Sequence, residues 1–176
     1  MNAFEMVVMA MLYGVTMKVA DLMDEHGLCW FRGDALLFGL LWGIFGSLLA
    51  INDTVIASAI AAQNVAYIAR GRLDYRNHQI AATMIISTAF VVDMPAILFV
   101  AFLVPFIIFG SLRDYDYMLE ARGFPAEVSW LLSLYYPVST LIYCLMFGHW
   151  MLFWVFTAYI VSYDVVKVAA RNRGYP

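Results

Sequence analysis

The sequence predicts an all-α fold. It is a polytopic integral membrane bundle of about seven short crossings, one domain over residues 1–176, with the N-terminus out and the C-terminus in. Three observations carry this expectation. Hydrophobic residues make up 64% of the chain and charged ones 13%, with a mean hydropathy of +0.80. A soluble domain averages about 45–50% apolar and about 25% charged. Two apolar runs, 35–69 and 80–109, exceed the ~20 residues that one helix needs to cross the hydrocarbon, and each holds an acid near its middle, Asp53 and Asp93. The Lys and Arg residues, 10 in all, gather on one side only if the chain reverses at those acids.

Taken in order, the crossings fall at 4–21, 35–51, 54–69, 79–92, 95–110, 128–147 and 149–166. Polar clusters separate them at 21–34, 70–78 and 111–127, and the basic tail follows. Weaker breaks stand at Asn52-Asp53, Asp93-Met94-Pro95 and Gly148-His149. Asn and Asp turn and cap helices. Asp93 suits an N-cap with Pro95 just inside the next helix, and Gly148 suits a helix C-terminus. With every break a reversal, Lys18, Arg32, Arg70, Arg72, Arg76, Arg113, Arg122, Lys167, Arg171 and Arg173 share one face. Basic loops stay in the cytoplasm, which sets the orientation. The alternative is four long helices with 35–69 unbroken. That rod would be ~52 Å long at 1.5 Å per residue, and basic residues would fall on both sides.

Several classes of function drop out. The start Met1-Asn2-Ala3-Phe4-Glu5 lacks the basic region of a cleavable signal peptide. Cys29 lies in a polar loop and Cys144 in an apolar run, so no disulfide is expected. A net charge of −3 and the lack of a basic stripe interleaved with aromatics argue against a nucleic-acid partner. There is no Walker-type loop, no His-Glu-x-x-His pair and no Gly-x-Ser-x-Gly elbow. Asn52-Asp53-Thr54 matches a glycosylation sequon, but so tight a turn leaves no room for a glycan.

Other features read as architecture. Gly39, Gly43 and Ser47 recur every four residues, which allows close helix packing or an oligomer contact. Trp30, Phe31, Trp130, Tyr135, Tyr136, Trp150 and Trp154 suit interfacial aromatic belts. Pro105 and Pro137 are expected to kink helices.

The residues that could carry chemistry lie on the basic face. Asp21, Asp24 and Glu25 share one helical face at spacings of three and four, beside Lys18 and His26. Hard carboxylate oxygens so placed are expected to hold Mg²⁺, which takes one or two carboxylates plus phosphate oxygens. Arg70, Arg72 and Arg76 are expected to bind phosphate through their planar forks. Asp74, four residues before His78, would orient it for acid–base work as the catalytic pair. Arg113, Asp114 and Asp116 add a third charged loop.

These residues point first to a membrane-embedded enzyme acting on a lipid-linked, prenyl-type phosphate or diphosphate at the cytoplasmic interface. Metal and arginines would stabilise charge developing on the phosphate. The second expectation is a small ion- or proton-coupled transporter or channel subunit. Asp53 lies 21 residues before Asp74 and Asp93 19 after it, so in four long helices both acids reach one depth in the bilayer. The third is an accessory subunit of a larger membrane complex, packed through the Gly39, Gly43 and Ser47 face. Membrane lipids are the expected partners of all three.

Overall fold

The computed structural model describes residues 1–120 and 135–175, apart from the side chains of Arg113, Tyr135 and residues 116–120. The expectations for Arg122 and Trp130 and for the side chains of Arg113, Asp116 and Tyr135 fall outside what is described. Those residues form seven α-helices and no strand: α1 (Ala3–His26), α2 (Asp34–Asn52), α3 (Thr54–Ala69), α4 (Arg76–Val91), α5 (Ala96–Glu120), α6 (Tyr135–Phe147) and α7 (Trp150–Arg171). Three of them, α1, α2 and α7, are long and apolar enough to cross a membrane.

Local chemistry explains the boundaries. Asn2 and Glu5 form a reciprocal capping box, with Glu5 N donating to Asn2 Oδ1 at 2.9 Å and Asn2 N donating to Glu5 Oε2 at 2.8 Å. Gly27 closes α1 at φ 72°, the left-handed conformation that glycine adopts without a Cβ penalty. Asp53 breaks the long apolar run. Its backbone is extended, and its carboxylate accepts from Val55 N at 2.8 Å and Ile56 N at 3.1 Å, so it caps α3. The alternative of one rod over 35–69 is therefore replaced by two helices, because the Asp53 side chain satisfies the amide groups that a new helix start exposes. At the next break Asp93 does not cap α5. It adopts φ 55° just after α4, a left-handed turn that Asp tolerates better than most residues. Pro105 and Pro137 both lie inside described helices, α5 and α6.

Side-chain contacts give the directions. The N-terminal ammonium meets Asn52 Oδ1 at 2.7 Å, and Tyr13 packs on Trp42, so α1 and α2 are antiparallel. Gly39 meets Asn77, Gly43 meets Ala81, and Thr88 Oγ1 lies 3.1 Å from Ser47 Oγ, so α2 and α4 run together. The glycine–serine face of α2 is thus occupied by α4 of the same chain. Asp53 pairs with His149, and Gln63 with Tyr159, so α3 and α7 run together. Gly14 abuts Tyr159 and Asp21 reaches Tyr163, which aligns α1 with α7. Tyr136 packs on Phe106 and Phe156, and Tyr143 on Phe102, so α6 opposes α5 and α7.

The odd helices therefore run one way and the even helices the other. One pole collects Met1, Asn52-Asp53, 92–95 and Gly148-His149. The opposite pole collects His26, the 70–75 turn, Asp114 and Arg171. Between the poles, Tyr13, Trp42, Leu49, Ile56, Phe106 and Phe156 are fully buried. Leu36, Leu40, Ile44, Val104, Ile108 and Val161 face outward, which suits a lipid solvent. Trp30, Phe31, Trp150 and Trp154 are exposed near the poles, as interface anchors would be. Tyr136 is 2% exposed and belongs to the core, because it is wedged against Phe106 and Phe156.

Candidate functional site

The last turns of α1 carry Lys18, Asp21 and Glu25 on one side. Lys18 and Asp21 are buried at 5% and 6% exposure, although both are charged. An unpaired buried charge is costly, and pairing with hydrogen bonding offsets that cost. Asp21 has three partners. Lys18 Nζ is 3.9 Å from its Oδ2, the Tyr163 hydroxyl donates to Oδ2 at 2.8 Å, and His78 Nε2 is 3.0 Å from Oδ1. The Lys18 ammonium also lies 5.3 Å from the centre of the Tyr163 ring.

His78 comes from the first turn of α4, one residue ahead of the apolar stretch. Its position is set by Asn77, whose amide donates to the Ala20 carbonyl at 3.1 Å and so ties α4 to α1. The imidazole stands edge-on between Trp42 and Tyr75, each 5.6 Å away, with the main chain of Arg72 beside it. Burial alone would lower its pKa. The adjacent Asp21 carboxylate, with Glu25 and the Arg72 carbonyl, outweighs burial and raises it. Nε2 is 3.0 Å from Asp21 Oδ1, a close contact without full hydrogen-bond geometry.

A cleft of about 460 Å³ opens over this pair. Arg70 at the end of α3 lies 5.3 Å from the Tyr67 ring centre and packs against Gly110, where no Cβ intervenes. Its Nε is 3.5 Å from Asp114, and Arg72 Nη2 is 2.8 Å from the same carboxylate. Across the cleft, α7 contributes Tyr163, Lys167 and Arg171. Lys18, Arg70, Arg72, Lys167 and Arg171 thus face one cavity that also holds Asp21, Glu25 and Asp114. Five cations against three carboxylates make it an anion-attracting cleft in a chain whose net charge is −3.

Asp21, Glu25, Arg70, Arg72 and His78, named from the sequence, all line this cleft. Asp24, Asp74 and Arg76 are not among its lining residues; Asp24 is half-buried, and the other two are exposed. The carboxylate beside His78 is Asp21, from another helix, and the third member of the acid cluster is His78 where Asp24 was expected. Asp21, Glu25 and His78 present one ligand atom each, all within 4.8 Å of one another. Tyr163, Lys167, Arg171 and Trp42 are additions. The signal for the first three was present in the four-residue spacing 163, 167, 171, which stacks them on one face of α7.

At the opposite pole, Asp53 Oδ2 is 2.8 Å from His149 Nε2 while its other oxygen caps α3. Asp93 is exposed at the neighbouring turn. No protein-family model, curated protein or solved structure matches the chain.

Proposed function

We propose that the chain is a multi-pass integral membrane enzyme that binds the phosphate or diphosphate head of a lipid-linked, prenyl-type substrate in the basic cleft. The observation that supports it best is the gathering of Lys18, Arg70, Arg72, Lys167 and Arg171 around the buried Asp21–His78 pair. Arginine forks and lysine ammonium groups bind phosphate oxygens, and they act more strongly where water is excluded. Their position at a helix pole, beside outward-facing apolar side chains, suits a ligand with a charged head and a hydrocarbon tail.

In this reading all seven helices cross the bilayer, and the pole with the cleft is cytoplasmic by the distribution of basic residues. The N-terminus then lies outside and the C-terminus inside. Arg72, with its side chain 50% exposed, meets the incoming head first. Lys18 and His78 lie deeper, where the Lys18 ammonium can stabilise negative charge developing on a leaving phosphate oxygen. A divalent cation beside Asp21 and Glu25 would neutralise further charge on the phosphate.

The test is binding in nanodiscs of neutral lipid. A long-chain prenyl diphosphate should raise the thermal midpoint of the protein saturably, and the matching prenyl alcohol should not. Arg72→Gln with Lys167→Gln should abolish the shift. Equal effects of diphosphate and alcohol would overturn the proposal.

A further inference from the structure

We infer that Asp21, Glu25 and His78 form the ligand set of a first-row transition-metal ion such as Mn²⁺ or Zn²⁺, in preference to Mg²⁺. The inference deepens the lipid-phosphate reading and rests on it for the anion that would complete the coordination. The protein ligands are read from their own geometry.

The donor set is two carboxylates and an imidazole, drawn from two helices, with ligand atoms within 4.8 Å of one another. Mg²⁺ takes oxygen ligands and retains several waters. An imidazole shifts preference to Fe²⁺ or Zn²⁺, and a mixed set with two carboxylates also suits Mn²⁺. The spacing of the two buried donors fits. Asp21 Oδ1 and His78 Nε2 are 3.0 Å apart, and two ligands at right angles on bonds of about 2.1 Å are separated by about 3.0 Å.

His78 Nε2 is also fully buried and lacks an aligned hydrogen-bond partner. A buried nitrogen that makes no bond of full hydrogen-bond geometry and stands 3.0 Å from a carboxylate oxygen is placed as one of two neighbouring ligands of a third atom would be.

The outer contacts point the same way. Metal-bound histidines usually donate their other N–H to a carbonyl or carboxylate, and metal-bound carboxylates are themselves hydrogen-bonded. The main chain of Arg72 lies beside His78. The Tyr163 hydroxyl donates to Oδ2 of Asp21, leaving Oδ1 on the His78 side. Glu25, with its side chain 41% exposed, supplies the movable third ligand at the cleft mouth. Lys18 beside Asp21 adds a positive charge, so an occupied centre carries a surplus that favours an anionic substrate.

The experiment uses the full chain in detergent, stripped with EDTA and titrated with Mn²⁺ while the signal of free Mn²⁺ is read by electron paramagnetic resonance. The expected result is one bound ion per chain that survives a hundredfold excess of Mg²⁺ and is displaced by Zn²⁺. Glu25→Gln, at an exposed position, should weaken Mn²⁺ at least tenfold with the thermal midpoint unchanged, and His78→Gln should abolish binding. No bound Mn²⁺, displacement by equimolar Mg²⁺, or unchanged affinity in Glu25→Gln would each overturn the inference. Prenyl diphosphate binding by the same metal-free protein separates the two readings. If it persists without Mn²⁺ binding, only the metal assignment fails. If Mn²⁺ binds and the lipid does not, only the lipid assignment fails.

Discussion

Gly39 of α2 faces Asn77 of α4 so closely that a Cβ at position 39 would lie 2.7 Å from Asn77 Cβ and 2.8 Å from its Cα. Asn77 in turn holds the Ala20 carbonyl, and its neighbour His78 meets Asp21. A single missing methyl group thus sets the register that joins α1 and α4 at the cleft. Gly39→Ala should lower stability by about 1–3 kcal/mol, the usual effect of overpacking, and should weaken ligand binding as well. Leu40→Ala, at an outward-facing position, is the control. Thermal unfolding in detergent reads both, and equal midpoints for the two variants would refute the register argument.

Gly110 offers a milder perturbation. A Cβ there collides with the Arg70 guanidinium, the mobile end of a long side chain. Gly110→Ala should therefore leave the unfolding free energy within about 1 kcal/mol of the parent, and should reduce prenyl diphosphate affinity severalfold. A large loss of stability with unchanged affinity would show that Gly110 serves packing alone.

Asp34 gives a pH dependence. Its carboxylate accepts from the main-chain amides of Trp30 at 2.6 Å, Ala35 at 2.8 Å and Phe31 at 3.2 Å, and these hold its pKa below the ordinary carboxylate range. A folded pKa below the unfolded one contributes stability that is present above about pH 4 and is lost as pH falls through the folded value. Asp34→Asn should flatten the acid limb of the stability profile, measured by circular dichroism between pH 2 and 5. An acid limb as steep as that of the parent would count against this assignment.

Asp53 separates architecture from transport. It caps α3 and pairs with His149, so Asp53→Asn should cost about 1 kcal/mol, typical of a weakened cap, and leave ligand binding in the cleft intact. Loss of ion flux in proteoliposomes, with binding and fold preserved, would favour the ion-carrier alternative.

Topology is checked by cysteine labelling in a chain lacking Cys29 and Cys144. Asp74→Cys should react from the cytoplasmic side, and Asn52→Cys and Asp93→Cys from the other. Reaction of positions 52 and 74 from the same side would remove the seven-crossing arrangement.

Much of the helix pattern was legible because its punctuation is local. Asp53 and Gly148 act within three residues of themselves, and their side-chain chemistry is enough to end or start a helix. Asp93 was found as a break but mistaken for a cap, because a left-handed φ of 55° and an N-cap call for the same residue type. The cleft was legible only in part. Spacing groups Asp21, Asp24 and Glu25 on one face of α1, but it does not say which of them points at a neighbour. Asp21 is buried against α4 and α7, Glu25 follows it at the cleft mouth, and Asp24 lies to one side. Nothing local in α1 announces His78, since its arrival depends on the Gly39–Asn77 contact between two other helices. Lys167 and Arg171 read as a topology signal, and they do lie at the basic pole. Only the packing of α7 on α1 turns them toward the cleft.

That same packing imposes an order on biogenesis. The Tyr163 hydroxyl that steadies Asp21 is made 142 residues later. If α1 crosses the bilayer, as its length and composition allow, it does so first, with Lys18 and Asp21 lacking their final shelter until the last helix emerges from the ribosome. A chain stopped before α7 would leave those charges facing lipid or a quality-control protease. The contacts around Asp21 are therefore completed only when α7 arrives.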